Sequence, residues 1–388
     1  MSVPHRLRNV LCLDDFEPLG QAFLPRVLAE FIASGVEGNL TYDENLNAFD
    51  KVWLKPRVLN DVSNRKMERT LFGKTYDAPF GIPPMGASAM FGFEADINNA
   101  RAAKGANIPF CMSGSSLIPM EKVLDVNPDV WFQAYIETSK ERIAALTDRA
   151  RDAGYKTLVI TVDVAVGGNR ASNMRSGFSY PIRPNLRMAL DGLMHPRWLY
   201  ETFIRTILKN GFPHMENMGA GQGIPMISFA APERKHARDA LAWEDLKWLR
   251  DRWKGRLLIK GVLSGKDARI ASEIGLDGLF VSNHGGRQLD TAVSPLTVLP
   301  EIVAEKGKMA ILYDGGIRRG TDVIKALALG ADMTFVGRPF LYAAALGEQP
   351  GLMHAINLLQ DEIYRNMALL GCDDLDDLAS RIHDNQNP

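Results

Sequence analysis

From about residue 79 onward, short apolar or β-branched runs alternate with longer stretches of helical period, and each run ends in small, polar or glycine residues. That rhythm is the signature of repeated βα units. The predicted strands are APFGIP (78–83), PFCMS (109–113), VWFQAYI (130–136), TLVITVD (157–163), LLIKGV (257–262), GLFVSN (278–283), AILYDGG (310–316) and MTFVGR (333–338). Eight of them predict an α/β fold, the (β/α)8 TIM barrel. Between them, SKERIAALTDRARDAG (139–154), SGKDARIASEIG (264–275) and RGTDVIKALALG (319–330) begin polar and stop on glycine, as crossover helices do.

Three regions stand outside this rhythm within a single domain of residues 1–388. Residues 1–77 read as an N-terminal helical segment, in which LPRVLAEFIASG (24–35) runs to a glycine stop, and residues 346–388 read as a C-terminal helical segment. The barrel then occupies 78–345, and 164–256 is too long for one crossover, which predicts an insertion after strand 4. Such an insertion sits on the catalytic side of a barrel, where a lid would serve.

Composition narrows the function classes. Of 388 residues, 46% are apolar and 23% charged, an ordinary globular balance. Forty-five basic residues against 46 acidic ones leave a net charge of -1, so no whole-molecule field draws the chain to nucleic acid or anionic lipid. Cys12, Cys111 and Cys372 form no CxxC, which speaks against a disulfide framework and against a metal knuckle. With no long apolar h-region and no run of about 18 apolar residues, the expectation is a cytoplasmic protein that spans no membrane.

In such barrels the reacting groups lie at the C-terminal strand ends. Here those ends carry Ser113, Gln133, Tyr135, Thr161, Asp163, Lys260, Ser282, His284, Asp314 and Arg338. One such residue alone is more often a cap or a solvated turn. So many converging on one face would cost about 1 to 3 kcal/mol for each one left unpaired, unless a ligand meets them.

The segments AILYDGGIRRGTD and FVGRP follow strands seven and eight, where barrels commonly bind phosphate. Gly315, Gly316 and Gly337 offer backbone amides, Arg318 and Arg338 offer charge, and a helix beginning near Gly320 adds the partial charge of its N-terminus. Plain turn glycines would explain either segment alone, though not both beside arginines. Lys260, in an otherwise apolar run, calls for an anion. The negative charge that develops on a flavin ring would satisfy it; a Schiff-base lysine, with no flavin, is the alternative. In SNHGGRQLD, His284 is able to take a proton near neutral pH, and the paired glycines allow a turn that brings Arg287, a bidentate carboxylate ligand, toward the same cavity. Asp163 is a candidate partner for the imidazole.

SNHGGRQLD, LIKGV, WFQAY, TVDVAVGGNR and DGGIRRGTDVIKALALGA together resemble the FMN-dependent 2-hydroxy acid dehydrogenase and oxidase family over about residues 10–375. Within it, TVDVAVGGNR, LDGLMHPRW and AVSPLTVLPEI are most similar to the bacterial mandelate and L-lactate dehydrogenases. The resemblance implies that His284 is the base, Asp163 its partner, Arg287 and Arg170 the carboxylate clamps, and Tyr135 a hydrogen-bonding group near the substrate hydroxyl. It implies FMN contacts from Pro84, Met85, Gly86, Ser113, Gln133, Thr161, Lys260, Ser282, Asp314, Gly315, Gly316, Arg318, Gly337 and Arg338. It also implies a homotetramer that oxidises a small 2-hydroxy acid and passes electrons to a quinone or another acceptor.

Two positions qualify the resemblance. Gly86 stands where oxidases of the family commonly carry alanine, which favours a dehydrogenase over an enzyme using oxygen. Phe31 stands where the family usually has a tyrosine whose hydroxyl binds the substrate carboxylate, so a bulkier or more apolar substrate is expected. In residues 176–215, Arg183, Arg187, Arg197, Arg205 and Lys209 interleave with Phe178, Tyr180, Trp198, Tyr200 and Phe203. That pattern suits peripheral contact with the cytoplasmic face of an inner membrane; a lid or subunit contact is the alternative. The rival classes are an FMN-binding barrel isomerase and a flavin-binding protein that has lost catalysis.

Overall fold

A computed structural model describes residues 3–383 apart from Tyr180, Gln222, Ile224 and residues 228–237. It contains a two-stranded antiparallel hairpin, β1 (Arg69–Leu71) and β2 (Lys74–Tyr76), and eight further strands. These are β3 (Phe80–Gly81), β4 (Cys111–Ser113), β5 (Trp131–Ala134), β6 (Thr157–Thr161), β7 (Arg256–Val262), β8 (Gly278–Val281), β9 (Ala310–Asp314) and β10 (Met333–Phe335). They run parallel in the order β3-β10-β9-β8-β7-β6-β5-β4, and the bridge Ile82–Phe110 joins the two ends of that order into a ring. All eight predicted strands are present. They are shorter than most of the predicted runs because the polar C-terminal residues of those runs already belong to the loops at the mouth.

The period of two along each strand explains how the barrel is filled. Cys111, Trp131, Val159, Leu258, Phe280, Leu312, Met333 and Phe335 pack into one apolar cluster, together with Leu71 and Tyr76 of the hairpin. Two residues further along, the same strand faces carry Ser113, Gln133, Thr161, Lys260, Ser282 and Asp314, all buried. A further step of two reaches Tyr135, Asp163, His284 and Gly316. An apolar floor, a polar layer and an outermost layer thus follow one another up the strands.

The hairpin closes the floor and was absent from the expectation of an all-helical N-terminal segment. Its two-residue loop is Phe72 (φ 53°) and Gly73 (φ 77°), both left-handed as a tight hairpin requires. A phenylalanine at the first loop position hides the usual Asn-Gly signal. Arg256 fastens the loop to the barrel by donating to the Phe72 carbonyl at 2.7 Å.

The predicted crossover helices form as Lys140–Ala153, Gly265–Glu273 and Gly320–Ala328. In the first, the Ser139 hydroxyl accepts from the Arg142 amide and Gly154 (φ 108°) ends the helix. The insertion holds short helices between Ala171 and Asn210, and its final part, Trp243–Arg252, is an ordinary crossover helix leading into β7. Helical chain from Arg338 to Leu370 breaks at Glu348 (φ 51°), near the predicted start of the C-terminal segment.

Candidate active site

The polar layer contains a continuous network. Lys260 donates to the Ser282 hydroxyl at 2.8 Å and pairs with Asp314 at 2.9 Å, and Ser282 donates to Asp314 at 2.5 Å. Burial pulls the Lys260 ammonium down, but Asp314 and Asp163 outweigh it and hold the group above its ordinary range. Lys260 is therefore a charged lysine with a resident counter-ion. This corrects the inference that its place in an apolar strand requires a bound anion, and it disfavours a Schiff-base role, which needs the free amine. Across the layer, Ser113 donates to the Gln133 side-chain oxygen at 3.1 Å, whereas the buried Gln133 Nε2 has no acceptor among the described residues.

One layer higher, His284 Nδ1 lies 3.0 Å from Asp163 Oδ1 and 3.2 Å from Oδ2, so Nε2 is the ring nitrogen free to meet a substrate. Burial pushes the Asp163 carboxyl up, but His284 and Lys260 outweigh it and hold it below the ordinary carboxylate range. His284 adopts φ 60°, an uncommon backbone state for a residue with a side chain, and its amide donates to Ser282 Oγ at 3.1 Å. Gly261 makes room for the pair. It has φ 109° at a register shift in β7, and a Cβ there would lie 2.5 Å from Asp163 Cβ and Cγ.

Arg287 is buried. Its Nη1 donates to the Ser34 carbonyl at 2.8 Å, whereas Nη2 has no partner among the described residues. Burial, with Arg170 and Arg338 close by, pulls Arg287 well below the ordinary guanidinium range. Arg170 donates to the Arg287 carbonyl at 3.0 Å and to Gln288 Oε1 at 2.9 Å. Gln288 in turn donates to the carbonyls of Asp163 at 3.1 Å and Val166 at 3.2 Å. Burial and the neighbouring Asp163 charge raise the Tyr135 phenol, so it stays a hydrogen-bond donor at neutral pH.

The N-terminal segment forms a wall of this site. Phe31, on the helix Arg26–Ala33, places its ring 4.7 Å from the Arg287 guanidinium carbon and stacks on Phe178 at 4.3 Å and Phe91 at 5.8 Å. Asn45 and Asn283 exchange side-chain hydrogen bonds at 2.8 and 2.7 Å. Asp290 accepts from the Gly38 and Thr41 amides at 2.9 Å each. A Cβ on Gly286 would lie 2.7 Å from the Tyr42 backbone. Asn283, Gly286 and Asp290 of SNHGGRQLD thus have partners in the N-terminal segment that sequence reasoning missed. Asn45, Gln288, Asp290 and Gly261 carry no local signal of their own, since each is explained only by a group distant in sequence.

The predicted phosphate end is only partly assembled. The amides of Arg318 and Arg319 both donate to Asp322 at 2.9 Å, and Gly320 N donates to Glu362 at 2.6 Å, so that helix start is occupied by the protein's own carboxylates. Gly316 (φ 80°) is required by packing, since a Cβ would meet the Asn45 carbonyl at 1.9 Å. Gly315 (φ 119°) and Gly337 have only ordinary contacts where a Cβ would stand. The Arg318 guanidinium donates to the Ile317 carbonyl at 3.0 Å. Arg338 turns toward the wall, donating to Ile32 O at 2.8 Å, Gly285 O at 3.1 Å and Ser34 O at 3.3 Å. Burial and Arg318 pull it down to about 10.

A family model described as FMN-dependent dehydrogenase matches residues 20–385. The chain belongs to the FMN-dependent dehydrogenase family. It is 37% identical to an (S)-mandelate dehydrogenase of Pseudomonas putida over 96% of this chain and 93% of that one. It is 36% identical to an L-lactate dehydrogenase of Vibrio cholerae over 94% and 96%. A crystal structure of the monotopic membrane protein (S)-mandelate dehydrogenase superposes with a TM-score of 0.87 at 35% identity, covering 97% of this chain and all of that one. The protein is thus an FMN-dependent 2-hydroxy acid dehydrogenase.

The mouth of this dehydrogenase fits its cofactor. FMN carries a flat ring edged with carbonyl oxygens, and the orphaned Gln133 amide is a donor for such an oxygen. The Lys260 ammonium, in the same polar layer as Gln133, would supply fixed positive charge to that ring. Gly86, in a turn after β3, packs close to the loop that follows β4: an added Cβ would lie 3.0 Å from Ser115 Cβ.

The dehydrogenase's insertion differs from the expected aromatic and basic face. Phe178 is stacked on Phe31, Trp198 is buried with its ring N–H on the Met90 carbonyl at 2.9 Å, and Phe203 stacks on Trp198 at 5.4 Å. Tyr180 lies outside the described residues. Arg205 pairs with Glu348 at 2.6 Å and Lys209 with Glu94 at 3.0 Å. The exposed apolar surface is mostly aliphatic: Leu186, Leu190 and Leu193, one face of the helix Leu186–Met194, with Met194 and Leu208 and the aromatic Tyr200 and Phe212 beyond it. Arg183, Arg187 and Arg197 are exposed alongside. Among the described residues no helix is long and apolar enough to cross a membrane.

Proposed function

We propose that the enzyme oxidises the (S) enantiomer of a 2-hydroxy acid with a bulky, apolar substituent, mandelate-like rather than lactate-like, and passes the electrons to a quinone. The observation that carries this reading is the pairing of a base with a buried guanidinium donor that the described residues leave unpaired. Asp163 holds His284 through Nδ1 and leaves Nε2 for a substrate proton, while Arg287 Nη2 is a buried cationic donor without an acceptor among the described residues. A carboxylate gripped by Arg287 and Arg170 would set the substrate's carbinol group before His284, with the Tyr135 hydroxyl donating to its oxygen. Asp163 orients the imidazole and stabilises the imidazolium formed on proton transfer. Bound FMN supplies the two-electron acceptor. Gln133, Lys260, Ser113, Thr161, Ser282, Asp314 and Pro84, Met85 and Gly86 would hold its ring, and Gly315, Gly316, Arg318, Gly337 and Arg338 its phosphate side.

The substrate preference rests on Phe31, which sets an apolar ring beside Arg287. The acceptor and the peripheral membrane location rest on the exposed leucine face of the insertion and on the monotopic relative. The test is to mix the yellow holoenzyme anaerobically with both enantiomers of lactate, mandelate and longer 2-hydroxy acids and follow flavin bleaching. Bleaching fastest with (S)-mandelate-like acids is expected, and none with any 2-hydroxy acid would overturn the reading. Admitting a quinone analogue or oxygen afterwards identifies the acceptor. On anionic vesicles at low salt, wild type should co-sediment and a Leu190→Glu, Leu193→Glu variant should stay in solution; wild type left in solution removes the membrane location.

A further inference from the structure

Phe178 lies in the insertion, yet it reaches the carboxylate clamp through one intermediate ring. The chain arrives there by a short helix, Ala171–Ser176, whose N-cap is Arg170. Gly177, at φ 91°, reverses the chain, and the Phe178 amide donates to the Asn173 carbonyl at 2.8 Å while the Gly177 amide donates to Met174 at 3.1 Å. Those two bonds form a Schellman closure, which sets the direction of the residue after the glycine. Phe178 lands on Phe31 with ring centroids 4.3 Å apart and planes 29° from parallel. Phe31 in turn carries the Arg287 guanidinium over its ring at 4.7 Å. One six-residue helix therefore delivers Arg170 at one end and, at the other, a ring that supports Arg287.

We propose that Phe178 is a positioning residue for substrate binding: by stacking on Phe31 it holds the ring over which Arg287 is poised for the substrate carboxylate. Nη1 of Arg287 is tied to the Ser34 carbonyl, so where Nη2 points depends on how the guanidinium turns about that tie, and the Phe31 ring packed beside it limits the turn. With no hydroxyl on Phe31 to bind the carboxylate, more of the grip falls on Arg287 itself. A ring left loose would cost binding more than turnover, because the His284 and Asp163 pair is anchored elsewhere, on Ser282 and beside Gly261.

The inference rests on the reading of Arg287 as the carboxylate clamp, so the test separates the two. Oxalate serves as the probe, since it offers carboxylates with no side chain to touch Phe178 directly; its binding is followed by the shift in flavin absorbance of the holoenzyme. Phe178→Ala should weaken oxalate and raise KM for the 2-hydroxy acid by about tenfold, the scale of one lost aromatic contact, with the bleaching rate at saturation and the FMN content unchanged. Phe178→Tyr, which keeps the ring, should restore both. Unchanged oxalate binding in Phe178→Ala, or a parallel fall in saturated rate and FMN content, overturns the positioning role. If Arg287→Lys leaves oxalate binding intact, the clamp reading itself fails and the proposal falls with it.

Discussion

The two ends of the barrel are built from the same strands and differ by two residues of register. Phe280 and Ser282 share a strand face, as do Leu258 and Lys260, and Leu312 and Asp314. The lower member of each pair is packed among hydrocarbon, and the upper one in a hydrogen-bonded network. The floor is an apolar cluster with no buried unpaired side-chain donor among its described residues. The mouth retains buried donors without acceptors among the described residues, at Gln133 Nε2 and Arg287 Nη2. Both ends thus contribute stability, but unpaired donors are found at the mouth, so substitutions at the floor should spare the chemistry.

The largest effect is expected at the mouth. His284→Gln should slow anaerobic flavin reduction by about 10² to 10⁴-fold with little change in thermal stability; a rate within a factor of a few of wild type, by stopped-flow, would deny His284 its role. Lys260→Met strips Asp314 of its buried counter-ion and should cost about 3 to 5 kcal/mol in denaturant unfolding. Adding Asp314→Asn should recover much of that stability without recovering flavin reduction, which distinguishes the pair's structural contribution from its effect on the flavin. At the floor, Phe280→Ala should cost about 3 to 5 kcal/mol and leave the reduction rate of the folded protein unchanged; a slowed rate would show that floor packing reaches the site.

A smaller effect lies outside both ends. Asp96, on the helix Ala95–Gly105, is buried with Oδ2 unpartnered among the described residues, and burial raises its carboxyl from 3.8 to about 7. A carboxyl raised on folding is neutral in the native state at mild acidity, so its ionisation destabilises the fold progressively as pH rises from 3.8 to about 7. Asp96→Asn should therefore flatten the fall in melting temperature between mild acid and neutral pH, a gain of roughly 1 to 3 kcal/mol above neutrality. Identical pH profiles for the two proteins would sink the assignment.

Strand positions and the chemistry of SNHGGRQLD were legible because period-two patterning reports which way a side chain faces, and because His, Arg and paired glycines have few common uses together. Partners were less legible. Asn45 meets Asn283 across 238 residues, and neither carries a signal of the other. Lys260 was recognised as needing an anion, but periodicity gave no way to see that Asp314, two strands away, supplies it. In the insertion, aromatic residues were read as surface because they interleave with arginines. The fold instead turns Phe178 and Trp198 inward and leaves leucines outside, a choice made by tertiary contacts with Phe31 and the Met90 carbonyl.

The hairpin at Phe72 and Gly73 makes the barrel a cup rather than a pipe. A cup has one rim, so whatever enters must leave by the way it came. Substrate, product and electron acceptor would then have to take turns at the same opening. The insertion that bears the exposed leucines extends from the loop after β6, at that rim. If that face lies on a bilayer, the shared doorway stands beside the phase in which a hydrophobic acceptor is most concentrated.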